Sequence, residues 1–201
     1  MMKVVFATNN KHKLTEIKAL LGVSFILLSL NDLNINEDIP EDLPTLEGNA
    51  SFKANYIHKA TGMNVFADDT GLEVEELHGM PGVHSARFAG ENKDFKENTK
   101  KVLKLMENKK NRRAQFRTVI ALLFNGKEYL FDGTVKGMLL HKPRGNGGFG
   151  YDPIFVPDGE KRSFAEMSLS EKNRISHRAI AFEKLRLFLS QDAKFDNKAM
   201  N

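Results

Sequence analysis

Two carboxylates, Asp68 and Asp69, stand side by side directly after the apolar run Val65-Phe66-Ala67. Adjacent carboxylates repel one another and are costly to bury unpaired, so a strand ending on them has either a solvated turn or a use for both. Asp68-Asp69-Thr70-Gly71 is good turn chemistry. The carboxyl end of a strand is equally where α/β sheets place ligands. Hard oxygen donors there suit Mg²⁺, and one aspartate can polarise an attacking water while its neighbour holds metal.

A second group of polar residues, Thr8-Asn9-Asn10-Lys11-His12-Lys13, joins the apolar segment Lys3 to Ala7 to Leu14, Ile17, Leu20 and Leu21 at helical spacing. The turn from a strand into a helix presents free N–H groups and the positive end of the helix dipole. Lys11 and Lys13 add mobile positive charge, which suits a di- or triphosphate; a plain polar turn with a helix cap is the alternative. The phosphate loop GxxxxGK[ST] occurs nowhere in the chain.

Two further segments carry recognition chemistry. Gly145-Asn146-Gly147-Gly148-Phe149-Gly150 runs into Tyr151-Asp152-Pro153-Ile154-Phe155, which is no helix, so it fails as a dinucleotide fingerprint. As a flexible loop it could lay Phe149 or Tyr151 on a nucleobase. Ser168-x-x-Glu171 reads as a capping box, with Lys172, His177 and Arg178 around the same helix start. Arg and His offer donors that can read a purine's carbonyl oxygens. The six His show no paired metal-ligand spacing, and no G-x-S-x-G elbow is present.

The elements that would position these groups alternate between helix and strand. Strands are expected at Lys3 to Ala7, Val65 to Ala67, Leu72 to Glu75, Ala114 to Phe124, Tyr129 to Val135 and Ile154 to Val156. Helices are expected from Leu14, over Asn49 to Ala60, over Phe95 to Met106, and as one long C-terminal helix through Ile175, Ala179, Phe182, Leu185 and Leu189. Residues 31–48, acidic and interrupted by Pro40 and Pro44, read as loop, and the polar end from Gln191 as frayed. Asn125-Gly126 marks a hairpin, so the sheet must be mixed within an α/β fold.

Composition narrows the function. With 201 residues, 41% hydrophobic and 28% charged, the chain can bury a real core and is no disordered segment. Having no Cys excludes a disulfide scaffold, a thiolate metal site and a cysteine nucleophile. No signal-peptide region or apolar run of about 20 residues appears, so a soluble, cytoplasmic protein without a membrane partner is expected. The net charge of +4 fits a small polyanionic substrate. Nucleic-acid binding would have to rest on the single basic cluster Lys109-Lys110-Asn111-Arg112-Arg113, which is equally an ordinary solvated loop.

Taken together, the segments resemble the inosine/xanthosine triphosphate pyrophosphatase family. The resemblance rests on Phe6 to Lys13 with Glu16, Gly48-Asn49-Ala50 with Lys53-Ala54, Phe66 to Leu72, Pro81 to Arg87, Gly147 to Phe155, and Glu171 to Arg178. These occur in family order over about residues 4–190. It implies one domain over 1–201, an elongated mixed sheet with flanking helices, and two lobes around a central nucleotide cleft. It further implies Mg²⁺-dependent hydrolysis of ITP, dITP and XTP to monophosphate and pyrophosphate by a homodimer that cleanses the nucleotide pool. Carried over, Thr8, Asn9, Asn10, Lys11, His12 and above all Lys13 hold the triphosphate. Asp69 is the base and a metal ligand, and Thr70 touches substrate. Phe149, Gly150, Tyr151, Asp152, Lys172, His177 and Arg178 line the base and ribose pocket. The second metal acid is Glu41 by best match, with Glu37, Asp38, Asp42 and Glu47 as alternatives. One departure is Gly48, where many members carry an acid.

Overall fold

The computed structural model describes residues 2–20 and 25–196, with side chains as far as Gln191. Leu21, the last apolar position of the first helical pattern, and the polar end beyond Asp196 lie outside the described residues. In chain order the elements are β1 (Lys3–Phe6), α1 (Lys11–Leu20), β2 (Ile26–Ser29), α2 (Leu46–Thr61), β3 (Val65–Val74), α3 (Phe95–Leu105), β4 (Arg113–Phe124), β5 (Lys127–Leu139), β6 (Phe155–Pro157), α4 (Leu169–Ile175) and α5 (His177–Asp196). The strands form one six-stranded mixed sheet in the order β2-β1-β3-β4-β5-β6. β1 runs parallel to both β2 and β3, pairing Val5 with Leu28 and with Val65, whereas β6 is antiparallel to β5.

Local chemistry accounts for most boundaries. α1 begins where the Asn10 side chain accepts from the amides of His12 and Lys13. Thr45 caps α2 by accepting from the Gly48 amide, and Gly62 ends it in the left-handed conformation. The Asp94 carboxylate accepts from Lys96 and Glu97 to start α3. Asn125 and Gly126, both at positive φ, make the tight turn between β4 and β5.

Four expectations need correction. The runs at 65–67 and 72–75 are one strand: β3 continues through Asp68-Asp69-Thr70-Gly71, so the two aspartates sit mid-strand and not at an end. Turn composition loses here because both faces of β3 are buried; at Gly71 a Cβ would lie 2.6 Å from the Gly82 carbonyl oxygen. The last helical pattern is two helices, because Ser176 takes an extended conformation (ψ 151°). Ile175 therefore closes α4, and Lys172 and His177 belong to different helices. Finally, Asp152–Ile154 is a helical turn, with β6 starting only at Phe155, and the acidic loop ends in α2 from Leu46.

The chain divides into two compact units. The first comprises Met1–Asp69, Val119–Gly133 and Ala179–Asn201; its core joins Val4, Phe6, Ile17, Phe66, Leu122 and Phe182, with the Phe6 and Phe66 rings stacked at 4.6 Å. The second comprises Thr70–Thr118 and Thr134–Arg178, built on Leu72, Val102, Met106, Phe116, Phe155 and Phe164.

Candidate active site

In the first unit β3 brings Asp68 and Asp69 into a nest of charge drawn from three other segments. Asp68 is 1% exposed, and its Oδ1 lies 3.0 Å from Lys13 Nζ of α1. Asp69 meets Lys53 of α2, Nζ to Oδ1 at 3.5 Å, and its Oδ2 accepts from Asn49 Nδ2 at 3.3 Å. Lys53 Nζ also pairs closely with Glu41, so one buried ammonium joins the carboxylates of residues 41 and 69. Asn49 in turn clamps the backbone of Leu43 by accepting from its amide and donating to its carbonyl, which fixes the loop carrying Glu41.

Electrostatics divides these groups. Burial raises the Asp69 carboxyl above the usual carboxylate range; Lys53 and Lys13 oppose this, while Glu41 and Asp68 reinforce it. Burial by itself would lower the Lys53 ammonium, but Asp69, Glu41 and Asp68 together hold it above the usual lysine range. A carboxylate of raised basicity beside a fixed ammonium is the arrangement a general base requires.

The polar turn before α1 is partly consumed by structure. Thr8 Oγ1 accepts from the Asn10 amide, Asn10 caps the helix, and Asn9 donates to the Glu37 carbonyl and to Asp38. The amides of His12 and Lys13 are already engaged by Asn10, so capacity for anions shifts from the helix end to the lysine side chains. Lys11 and His12 are exposed, and Lys13 is half-buried at the carboxylates.

The second unit holds a separate group around the half-buried ring of Phe149. Lys172 Nζ lies 5.0 Å from the ring centre and the Arg178 guanidinium carbon 5.5 Å, so two cations face this aromatic. Asp152 braces the loop: its Oδ2 accepts from the Phe149 amide at 2.8 Å and from Lys172 Nζ at 2.5 Å. Gly148, at φ 66°, must lack a Cβ because that atom would fall 2.1 Å from Asp152 Oδ2. Arg178, 1% exposed, donates to Thr70 Oγ1 at 3.0 Å, and that hydroxyl lies 2.7 Å from Thr118 Oγ1. His177 is buried and stacked on Phe116 at 4.6 Å. Gly150 sits beside α3, its carbonyl facing Thr99 Oγ1. Tyr151 does not belong to a flexible loop: it is in the core, with its hydroxyl donating to the Ser85 carbonyl and burial pushing the phenol's pKa up.

Three side chains of the basic cluster at 109–113 are engaged within the protein. Arg112 points inward and donates to the carbonyls of Met106, Leu139 and Leu140, Arg113 forks onto Asp158, and Lys109 pairs with Glu76. Among the described residues no helix is long and apolar enough to cross a membrane.

Sequence reasoning weighs Asp68 together with Asp69 and names Glu41 and Lys13, but takes Asn49 and Lys53 only as matching positions and gives them no role. Lys53 left a signal: it shares the stripe Ala50, Ala54 and Ile57 on α2, where a lysine among apolar positions must be buried.

Buried carboxylates held by ammonium groups are poor material for stability alone, since an apolar replacement would be as good or better. Their presence beside a lysine-bearing turn marks an α/β enzyme that works on an anionic substrate. The chain belongs to the Ham1 family, whose model matches residues 4–188. It is 52% identical over 184 residues to the dITP/XTP pyrophosphatase of Flavobacterium johnsoniae, covering 92% of this chain and 96% of that one. It is 48% identical to the protein of the same name from Thermoanaerobacter pseudethanolicus, over 94% and 96%. Among solved structures, the Staphylococcus aureus Ham1 protein matches with TM-score 0.86 at 38% identity, over 94% and 99% of the two chains. A nucleoside-triphosphatase / dITP/XTP pyrophosphatase of Mycobacterium abscessus matches with TM-score 0.75 at 40% identity, over 92% and 98%.

Proposed function

We propose that this protein hydrolyses deaminated purine nucleoside triphosphates (dITP, ITP and XTP) to the nucleoside monophosphate and pyrophosphate, cleansing the nucleotide pool. The observation that carries the reading is the buried cluster of Lys13, Asp68, Asp69, Lys53 and Glu41 in a chain about half identical to proteins of that name. Water attacks the α-phosphorus, the bond to the bridging oxygen breaks, and pyrophosphate leaves. Asp69 takes the proton from the attacking water, its raised basicity making it an acceptor. Lys13, with Thr8 to His12 beside it, neutralises the charge that gathers on the departing phosphates. Phe149, Gly150, Tyr151, Asp152, Lys172, His177, Arg178 and Thr70 build the base and ribose subsite, Tyr151 and Asp152 by holding the loop in place.

A divalent cation fits the carboxylates. Glu41 and Asp69 converge on one positive charge, that of Lys53, and their hard oxygens suit Mg²⁺. Among the described residues no group of three or more acidic or histidine side chains makes a complete cage, so the rest of the ion's shell would have to come from substrate oxygens and water. Mg²⁺ bound there would supply neutralising charge for the triphosphate. The family resemblance further supports a cytoplasmic homodimer, which a sedimentation measurement checks.

The deciding experiment is a product assay with Mg²⁺ across the common and deaminated triphosphates. Pyrophosphate from dITP, ITP and XTP, with little from ATP or GTP, is the expected result. Release of orthophosphate, or equal rates on ATP, would overturn it. A second measurement tests the phosphate role of Lys13: Lys13→Ala should raise KM for ITP by about 10-fold or more, the scale of a lost charged contact, and weaken binding of pyrophosphate. Inosine monophosphate affinity should hardly change, and Lys11→Ala, at an exposed position, should matter less. Equal losses for mono- and triphosphate in calorimetry would place Lys13 elsewhere.

A further inference from the structure

We infer that Lys53 is a built-in stand-in for the metal: its ammonium occupies the place between Glu41 and Asp69 that a divalent cation would take, and the cation enters only by displacing it. The two charges compete for the same atoms. Lys53 Nζ pairs with Glu41 Oε1 and lies 3.5 Å from Asp69 Oδ1. Those carboxylates are the hard oxygen donors that suit Mg²⁺. An ammonium and a divalent ion cannot both sit close against the same oxygens, because like charges at such range repel strongly where water is excluded.

Helix α2 builds this arrangement from one face. Asn49 and Lys53 stand four residues apart, so their side chains are neighbours on the helix surface. Asn49 Nδ2 donates to Asp69 Oδ2 at 3.3 Å, and Lys53 faces the other oxygen, Oδ1. The Asn49 side chain also holds the backbone of Leu43, two residues along from Glu41. Lys53 is 5% exposed and shares its stripe with Ala50, Ala54 and Ile57, all fully buried. A lysine in such a place is costly unless its charge is used. Here the ammonium lets two carboxylates stand together without an ion, where their mutual repulsion would otherwise draw the Glu41 loop away. The same contact opposes metal entry. The ligands are thus in place before the ion comes, while affinity for the free cation is held down until a triphosphate brings negative charge of its own.

The inference rests on the functional reading only in assigning the metal to Glu41 and Asp69, and its test uses Mg²⁺ alone, without nucleotide. Thermal melts and calorimetric titrations compare wild type with Lys53→Met, Lys53→Gln and Lys53→Arg. Lys53→Met should melt lower than wild type without metal, because two carboxylates lose a charge they share. It should bind Mg²⁺ about 10-fold more tightly than wild type, the scale of a charged contact removed from competition. Millimolar Mg²⁺ should therefore raise its Tm more than that of wild type. Lys53→Gln, with a neutral polar end, should gain in the same direction, whereas Lys53→Arg, which keeps the charge, should stay with wild type. Adding Asp69→Asn to Lys53→Met should abolish the gain, since one of the two carboxylates is then gone. If Lys53→Met folds only with Mg²⁺ present, recovery of a cooperative melt on adding the ion is the same result. Neutral variants that bind Mg²⁺ no better than wild type overturn the inference. So does a gain that survives Asp69→Asn or appears equally in Lys53→Arg. A wild-type chain that releases no pyrophosphate from any deaminated triphosphate overturns the functional reading instead, and the Mg²⁺ comparison still decides the role of Lys53.

Discussion

Asp69→Asn is expected to lower kcat for dITP by about 10³-fold or more while leaving Tm within a few degrees of wild type. Removing a general base costs about 10²–10⁴-fold, and more where the same carboxylate helps hold a metal. The fold should tolerate the change because asparagine keeps the shape and can still accept from Asn49 Nδ2 with its own oxygen. Lys53 keeps its pairing with Glu41. Removing a carboxylate that burial already disfavours as an anion is no great loss to stability. Steady-state kinetics with a thermal melt check both halves. A variant that keeps a third of the wild-type kcat would remove Asp69 from the role of base.

The same carboxyl sets a pH dependence whose sign follows from its raised value. Asp69 must be ionised to accept a proton, so kcat/KM should fall as pH drops through a value above the usual carboxylate range. For stability the direction is opposite to that of an ordinary salt-bridged aspartate. The folded chain holds this proton more tightly than the unfolded chain does. The metal-free protein should therefore lose stability from this group as pH rises from the usual carboxylate range to the raised folded value. Asp69→Asn should remove that slope, which a series of melts across acid to neutral pH would show.

What the chain makes legible is local, and what it hides depends on partners far along the sequence. The β4–β5 hairpin follows from Asn125-Gly126, α3 from the spacing of Phe95, Thr99, Val102 and Met106, and the start of α4, though not its end, from the Ser168–Glu171 box, because each is decided within a few residues. β3 is different. Read alone, Asp68-Asp69-Thr70-Gly71 is a turn; it becomes strand because Lys13 and Lys53, 55 and 16 residues away from their partners, neutralise the aspartates in place. No window over 65–74 contains that information. β2 is hidden for a related reason: four residues, Ile26–Ser29, make a strand only by pairing with β1. The site shows the same division. Asp69 can be picked out by residue type and Glu41 only as the best match to the family among several acids, but Lys53 as the charge that joins them, and Asn49 as the clamp on the Glu41 loop, appear only when α2 is packed beside β3.

Arg178→Ala should lower kcat/KM for ITP about tenfold more than for ATP, the effect of one donor conflict of the two that adenine would meet, and so narrow the ratio between them. Hypoxanthine and xanthine carry a carbonyl oxygen at the 6-position, where adenine carries an amino group. Donors that Arg178 and His177 would present at that position would donate to the oxygen and would leave adenine with donor against donor. Each unpaired buried polar group costs about 1–3 kcal/mol, so two such conflicts give roughly a hundredfold discrimination or more. The structure supplies the means: the guanidinium is buried, pinned by Thr70 and set across the Phe149 ring, so it cannot swing aside to relieve a wrong base. Guanine shares the 6-oxygen, and its rejection must come from its 2-amino group meeting a donor or a wall. Because Arg178 is buried, the variant will also lose some folded enzyme, but that loss lowers both substrates' rates equally and leaves their ratio alone. Paired steady-state kinetics on ITP and ATP with one enzyme preparation therefore isolates base recognition from stability. A ratio unchanged from wild type would show that Arg178 does not read the base, and would move selectivity to the loop Phe149 to Asp152 or to backbone groups around it.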